Sequence, residues 1–265
     1  MTIDPAYGAI LAAENEIEFL DYLGTSPLAT QQADDTVRWV ITGVEDNTHN
    51  GVTRTRLNPE QADVTITALL RRFAERKIWF QWYITPECQP HDLEAQLLSK
   101  GCLRLDGGNI MYADLDHLVE VQKSISQVTI QRVIDDDQMR QWHRVFQHDS
   151  GEDDQQRLAL YISLLHSKRL RWYIALQEDQ PVAVSMLFLG QRAAGLLNVT
   201  TLPSFQRRGF GTAVTLHALR EARAEGYKIA VLAPSPDGYH LYTRLGFELH
   251  PSVSVSYVLD VNGDS

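Results

Sequence analysis

The residues with the strongest chemical pattern are two glycines that follow a pair of arginines in the C-terminal half of the chain. The segment reads Gln206-Arg-Arg-Gly209-Phe-Gly211-Thr212 and comes after a strand pattern that ends near Pro203. The start of a helix binds phosphate oxygens, because its first N–H groups have no intrahelical acceptor and its dipole is positive there. Glycine lets the backbone approach an anion without a Cβ in the way, and arginine adds positive charge. The segment therefore predicts a phosphate site.

Two other phosphate-binding loops fit this segment less well. A P-loop requires a lysine after its second glycine, and no lysine is present. The dinucleotide fingerprint requires a third glycine, whereas Gly211 is followed by Thr212, Ala213 and Val214.

Hydrophobic periodicity places this segment in a chain of alternating helices and strands. In the first half the pattern predicts helices at 5–23, 59–73 and 90–100 and strands at 36–44, 51–57, 78–84 and 109–115. In the second half it predicts helices at 135–146, 158–165, 209–225 and 239–245 and strands at 128–134, 170–176, 181–189, 195–202, 228–233 and 253–257. Residues 116–127 are polar and typical of a linker.

One order of elements occurs twice, at 78–115 and at 228–259: a strand, a loop containing proline, a short helix, a glycine and a strand. In both places it follows an amphipathic helix. We interpret this as two related α/β units, residues 1–119 and 120–265, of which the first is shorter. The alternative is a chance likeness between two α/β segments.

A second motif lies one helix and one strand after the glycine turn. It reads Tyr239-His-Leu-Tyr242-Thr-Arg-Leu-Gly246-Phe247 and is similar to the Leu-Tyr-x-x-x-Gly-Phe hallmark of the GNAT superfamily of acyl-coenzyme A-dependent N-acyltransferases. The glycine turn resembles the coenzyme A motif of that superfamily, Gln/Arg-x-x-Gly-x-Gly/Ala. The resemblance covers about residues 128–259. It implies an α/β fold of the α+β type, with a mixed, mostly antiparallel sheet flanked by helices, preceded by a partial GNAT-like repeat.

The resemblance also implies roles for single residues. Tyr242 matches the general acid that protonates the departing thiolate, and a phenol with an ordinary pKa of about 10 is protonated at neutral pH. The residues implied in coenzyme binding are Val199, Thr200, Thr201, Gln206, Arg207, Arg208, Gly209, Phe210, Gly211, Thr212 and Ser235. Of these, the strand end at 199–201 would pair with the pantetheine arm, and the backbone from 207 to 212 would hold the pyrophosphate.

The chain departs from the family pattern at several positions. Ser235 and Gly238 stand where asparagine and alanine are frequent, and Asn198 is the polar residue near the position of the family's glutamate base. The acidic run 152–154 could bind a cationic amine or be a solvated loop. His240 lies two residues before Tyr242 and is expected to point elsewhere.

The N-terminal half resembles the superfamily only in a degraded form. Aligning Gly101 with Gly246 places Leu97 opposite Tyr242, and leucine has no proton to give. Arg56-Leu57-Asn58-Pro59 stands where the glycine turn would be. We therefore expect residues 1–119 to be non-catalytic.

Charge and composition narrow the class of protein. The net charge is −10, and the whole acidic excess lies in residues 1–120, which argues against binding to a nucleic-acid backbone. No apolar run approaches the ~18 residues of a membrane span. The start of the chain lacks the pattern of a secretory signal, so we expect a cytoplasmic protein in which Cys88 and Cys102 are free thiols. The sequence contains no Cys/His cluster of the kind that predicts a metal site.

The sequence thus predicts an enzyme that transfers an acyl group, most simply acetyl from acetyl-CoA, to a primary amine of a small molecule or a peptide. The transfer is direct, because the C-terminal half contains no cysteine for a covalent intermediate. Neither nucleic acid nor membrane is expected as a partner. The alternative is a sensor or interaction module that binds acyl-coenzyme A without transferring the acyl group.

Overall fold

The computed structural model describes residues 3–119, 128–148 and 154–259. Seven helices lie in these ranges: α1 (Pro5–Leu23), α2 (Pro59–Glu75), α3 (Leu93–Ser99), α4 (Asp136–Phe146), α5 (Gln155–Ser163), α6 (Phe210–Ala224) and α7 (Tyr239–Arg244). The strands are β1 (Thr30–Ala33), β2 (Val37–Ile41), β3 (Asn50–Thr55), β4 (Gln81–Ile84), β5 (Leu103–Asp106), β6 (Asn109–Asp114), β7 (Val128–Arg132), β8 (Leu170–Gln177), β9 (Gln180–Leu189), β10 (Ala194–Thr201), β11 (Ile229–Leu232), β12 (Glu248–Pro251) and β13 (Val255–Val258). Within the described ranges, no helix has both the length and the apolar character that crossing a membrane requires.

The chain divides into two compact units. The larger unit contains Met1–Glu16 and Gly108–Ser252, and the smaller unit contains Ile17–Gly107 and Val253–Ser265. The predicted boundary between residues 119 and 120 does not coincide with any of the three junctions between these units. Strand β6 lies in the larger unit although it precedes that boundary, and β13 lies in the smaller unit although it follows it.

An exchange of strands explains this difference. The larger unit contains a seven-stranded sheet in the order β12-β6-β11-β10-β9-β8-β7, and the smaller unit a six-stranded sheet in the order β1-β2-β3-β4-β13-β5. Strand β6 pairs antiparallel with both β11 and β12, and β13 pairs antiparallel with both β4 and β5. Buried backbone groups must be hydrogen-bonded, so sheet pairing, and not position along the chain, decides where each strand belongs.

The two sheets share one order of corresponding strands. Strands β2-β3-β4-β13-β5 of the smaller sheet correspond to β9-β10-β11-β6-β12 of the larger. In each sheet the parallel pair, β3 with β4 and β10 with β11, is joined by a long helix. The predicted fold class, with mostly antiparallel sheets flanked by helices, is confirmed.

Helices cover both faces of the larger sheet. Trp172 of β8 packs against Tyr161 of α5, with ring centroids 5.6 Å apart. The next residue, Tyr173, donates a hydrogen bond to Glu221 of α6 at 2.8 Å. Because successive side chains of a strand point to opposite faces, α5 and α6 lie on opposite faces of this sheet.

The smaller sheet is covered by the amphipathic helix that the sequence predicts. The apolar residues Ile66, Leu69, Leu70 and Phe73 of α2, at helical spacing, are all buried. Asn58 caps the helix, and its side chain accepts a hydrogen bond from the N–H of Glu60 at 3.1 Å.

Three strands were not predicted: β1, β5 and β12. Each of them forms an edge of its sheet. All side chains of β1 and β5, and most of those of β12, are exposed. An edge strand without a buried face lacks the alternation by which strands are recognised in a sequence.

The strand exchange predicts how fragments of the chain behave. A fragment of residues 120–265 lacks β6, which leaves β11 with an unpaired edge and β12 without its neighbour. We expect it to show no cooperative thermal transition by circular dichroism. A fragment of residues 108–252 is of nearly equal length but retains β6, and we expect it to unfold cooperatively. Equal transitions in both fragments would contradict the assignment of β6.

Candidate active site

The larger sheet opens between two of its central strands. Strands β10 and β11 pair in parallel only at Ala194 with Ala230 and at Gly195 with Val231. Burial changes at the same place: residues 194–196 are buried, and 197–201 are half-buried. Beyond Gly195 the edge of β10 that faces β11 is therefore open, and its backbone groups can pair with an extended molecule.

A β-bulge lies in the open part of β10. The pairing with β9 passes from Leu197–Met186 to Thr200–Val184, so β10 carries one extra residue there. Asn198 within the bulge has a φ of 52°, a left-handed conformation that asparagine adopts more readily than most residues. A bulge re-aims the backbone and side chains next to it.

The turn after β10 is shaped for an anion. The side chain of Gln206 folds back onto the end of β10, where its amide donates a hydrogen bond to the carbonyl of Thr201 at 3.3 Å. Arg207 has a φ of 58° and Gly209 a φ of 98°. Left-handed residues in such a turn direct successive N–H groups into one concavity, which binds anions.

Helix α6 begins directly at this concavity. The hydrogen bond from Ala213 N to Gly209 O, at 2.9 Å, starts its ladder, so the N–H groups before Ala213 lie ahead of it. A Cβ on Gly211 would lie 3.1 Å from Thr201 Oγ1 and 3.4 Å from Leu241 Cδ1. The helix start is therefore packed closely against the end of β10 and against α7. The anion site and the open strand edge meet here, which fits a molecule that carries a pyrophosphate and an extended arm.

The two arginines of the turn differ in their surroundings. Arg208 lies over the rings of Phe205 and Phe210, at 5.1 and 5.3 Å from the centroids. It also donates to Gln177 Oε1 at 2.8 Å. The exposed side chain of Arg207 has no hydrogen-bond or ion-pair partner among the described residues. Arg208 therefore stabilises the turn through its contacts, whereas the charge of Arg207 remains available to an anion.

Helix α7, which contacts the start of α6 through Leu241, carries the buried Tyr242. Its side chain is 7% exposed, and its ring meets Phe247 edge-on at 5.8 Å. Burial raises the pKa of Tyr242 to about 12, because the charged phenolate is poorly solvated there. The hydroxyl therefore keeps its proton throughout the neutral and moderately alkaline range.

A comparison with family models matches residues 134–247 to the acetyltransferase (GNAT) family. This range contains the open strand, the turn, α6 and α7. These residues match the model of a GNAT acetyltransferase domain over less than half of the chain. No curated protein sequence matches the chain.

Three solved structures share the fold over most of the chain. A GCN5-related N-acetyltransferase from Kribbella flavida is 18% identical, with a TM-score of 0.67 over 94% of this chain and 95% of the other. A functionally unknown conserved protein from Staphylococcus epidermidis is 12% identical, with a TM-score of 0.57 over 86% and 91%. A glucosamine N-acetyltransferase region of a fungal multi-domain GH3 β-N-acetylglucosaminidase is 16% identical, with a TM-score of 0.60 over 91% of this chain and 34% of the other. At these identities the likeness concerns the fold alone.

The glycine at position 238, where the family pattern often has alanine, has a steric cause. A Cβ on Gly238 would lie 2.9 Å from Tyr242 Cε2 and 3.1 Å from Ser235 Oγ. Ser235 Oγ already accepts a hydrogen bond from Gly238 N at 3.1 Å. The absence of a side chain at residue 238 therefore leaves room for the Tyr242 ring, and Ser235 braces the turn that leads into α7.

Other residues singled out from the sequence lie away from this chemistry or outside the described residues. Asp154 caps α5 and pairs with Arg157 at 2.7 Å, whereas Glu152 and Asp153 lie outside the described residues. His240 is exposed and its ring meets that of Tyr239. Within the described ranges, no group of three His, Cys, Asp or Glu side chains could hold a metal ion.

Sequence reasoning missed Tyr161, whose hydroxyl accepts a hydrogen bond from the amide of Asn198 at 3.2 Å. It also missed the three side chains that hold Arg208, namely Phe205, Phe210 as a ring partner, and Gln177. The contacts of Asn198 with Tyr161 and of Arg208 with Gln177 join residues more than 30 positions apart, so no local pattern marks them.

The geometry around residue 238 yields a prediction. Gly238→Ala should lower the free energy of unfolding by about 1–3 kcal/mol, the usual cost of overpacking, because the new methyl group displaces the Tyr242 ring. Chemical denaturation measures this. Gly108→Ala is the control, since a Cβ there meets nothing within 4 Å. Equal stability of the Gly238 variant and the unaltered protein would show that the ring moves freely.

Proposed function

We propose that the larger unit transfers an acetyl group from acetyl-CoA directly to a primary amine of a small molecule or a peptide. The observation that carries this proposal is the meeting of the anion site at the start of α6 with the open edge of β10, at Gly211 and Thr201. Coenzyme A presents the matching features, a pyrophosphate continued by an extended amide-containing arm.

The residues present fit each part of the coenzyme. The backbone N–H groups from Arg207 to Thr212 would hold the pyrophosphate, with the Arg207 side chain adding charge. The open edge at Val199, Thr200 and Thr201 would pair with the arm, as an added strand pairs with a sheet edge. Gln206, Arg208, Phe210 and Ser235 support this surface through the contacts described above.

The coenzyme supplies an acetyl group activated as a thioester. A backbone N–H of the open edge would stabilise the charge that develops on the carbonyl oxygen, and one such donor is typically worth about 2.7–4 kcal/mol. The amine nitrogen forms a bond to the acetyl carbon and releases a proton to water, while the carbon–sulfur bond breaks. Tyr242, neutral because burial raises its pKa to about 12, gives its proton to the departing sulfur.

The smaller unit, we propose, binds no coenzyme, because its own chain fills the corresponding opening. Strands β3 and β4 also pair in parallel at two positions only. Beyond them, Gln89 N donates to Thr55 O at 2.8 Å, and Leu57 N donates to Gln89 O at 3.1 Å. Gln89 thus occupies the edge of β3 that corresponds to the open edge of β10. The helix start also differs, since Asn58 caps α2 in an extended conformation.

The short helices α3 and α7 end alike, which supports the predicted correspondence of Leu97 with Tyr242. Gly101 and Gly246 have φ values of 86° and 94°. The N–H of the residue after each glycine donates at 3.1 Å, to Leu97 O in α3 and to Tyr242 O in α7. With leucine in place of the tyrosine, the smaller unit has no equivalent acid.

A second candidate function is favoured by one observation. The side chain at the bulge of β10 is the amide of Asn198, which takes no proton from an amine. A module that binds acetyl-CoA without transferring the acetyl group would need neither a base there nor an acid at Tyr242. Release of free thiol in the presence of amines separates the two functions.

Calorimetric titration with acetyl-CoA tests the proposed function first. We expect one site per chain, followed by thiol release when glucosamine, ethanolamine, spermidine or a lysine peptide is added. Binding without thiol release would favour the module. Two sites per chain would contradict the proposal that the smaller unit binds no coenzyme. Absence of binding would contradict the proposed coenzyme site of the larger unit.

Variants of the two neighbouring arginines, Arg207 and Arg208, separate coenzyme binding from stability. Arg207→Ala should weaken acetyl-CoA binding about tenfold, which corresponds to about 1.4 kcal/mol. It should leave the thermal midpoint unchanged, because the side chain is exposed and makes no hydrogen bond or ion pair with the described residues. Arg208→Ala should instead lower the thermal midpoint, because it removes the contacts with two rings and Gln177.

The role of Tyr242 yields a further prediction. Tyr242→Phe should lower turnover by roughly 10²–10⁴-fold, the usual range for a general acid, and leave the Kd for acetyl-CoA unchanged. Tyr239→Phe on the same helix is the control. Because the protonated form acts and its pKa is about 12, turnover should not fall between pH 8 and 10. Normal turnover of the Tyr242 variant would remove this residue from the mechanism.

A further inference from the structure

Asn198 occupies a special position on the open strand. It lies in the bulge, three residues beyond the last pairing of β10 with β11, and its φ of 52° is left-handed. Its side chain is half-buried, so that a bound molecule can reach it. The next residues, 199–201, form the edge proposed to pair with the coenzyme arm.

The amide of Asn198 is oriented by a rigid partner. Its nitrogen donates to Tyr161 Oη at 3.2 Å. Tyr161 is fully buried on α5, with its ring 5.8 Å from that of Trp142 and 5.6 Å from that of Trp172. Trp142 is itself anchored, since its indole N–H donates to Ser185 O at 3.0 Å.

Because the amide nitrogen faces Tyr161, the amide oxygen faces away from it. This oxygen has no donor among the described residues. An amide oxygen accepts a hydrogen bond but does not take up a proton at neutral pH. A group of this kind beside the acetyl position can hold the N–H of an attacking amine, but it cannot deprotonate an ammonium ion.

We infer that Asn198 binds the acceptor through its amide oxygen, with Tyr161 as the positioning residue, and that the acceptor is a weakly basic amine already neutral near pH 7. This inference rests on the proposed acetyl transfer. An α-amino group, with a pKa of about 7.7–8.0, is far more often neutral at pH 7 than a lysine side chain, with a pKa of about 10.4. Amines of the first kind are therefore the substrate class that fits the site.

A matched pair of peptides tests the substrate class. In alanyl-Nε-acetyl-lysine only the α-amine is free, and in N-acetyl-alanyl-lysine only the ε-amine is free. At pH 7 we expect kcat/KM to favour the first by about two orders of magnitude, which follows from the difference in neutral fraction. Equal or reversed preference would overturn the inference while leaving acetyl transfer intact. Thiol release with neither peptide, nor with the amines above, would overturn the proposed function and the inference together.

Variants test the two residues separately from folding. Asn198→Gly removes the amide and tolerates the left-handed φ. It should raise the KM for the α-amine peptide about three- to tenfold, the range for one hydrogen bond, without changing the Kd for acetyl-CoA. Tyr161→Phe should act in the same direction, and the double variant should be no worse than Asn198→Gly alone.

The variant Asn198→Asp gives the sharpest distinction. A carboxylate at this position can take a proton, so the preference for the α-amine peptide should fall at least tenfold. An unchanged preference, or an additive double variant, would overturn the assignment of Asn198 and Tyr161. Thermal unfolding of Tyr161→Phe with a midpoint near that of the unaltered protein shows that the KM change is not a loss of structure.

Discussion

The candidate site of the larger unit depends on one feature of its sheet: β10 and β11 stop pairing after Gly195. After Gly195 the sheet is interrupted, and the backbone groups of β10 that face the gap must find hydrogen-bond partners elsewhere. The features of the candidate site are arranged along this gap. The bulge at Asn198 lies in the open part of β10, the proposed anion site at Gly209 follows the end of this strand, and α7 contacts the start of α6 through Leu241. In the proposed function, the coenzyme arm supplies the missing strand-like partner.

The smaller unit shows that the strand order alone does not create an open strand edge. Its sheet contains the same parallel pair and the same helix connection, yet Gln89 fills the edge and Asn58 caps the helix. Where the larger unit has an open strand edge, the smaller unit therefore has an edge filled by its own chain. Function is therefore a property of the site and not of the fold.

Because β6 and β13 are exchanged, each half of the chain requires a strand from the other half to complete its sheet. Each sheet receives an interior strand from the other half, so neither half contains all the backbone partners that its own sheet requires. Periodicity along the chain suggests a division at residues 119 and 120, because it detects strands but not their neighbours. Pairing between distant strands is invisible to such a pattern.

The sequence by itself determined the local structure: the apolar face of α2, the caps at Asn58 and Asp135, and the glycine turn before α6. These depend on residues a few positions apart, where spacing and side-chain type decide the outcome. Only the tertiary structure decided the strand exchange, the contact of Arg208 with Gln177, the burial that raises the pKa of Tyr242 and the contact of Asn198 with Tyr161. Each of these requires elements far apart in the chain to be packed together, and local pattern carries no information about that packing.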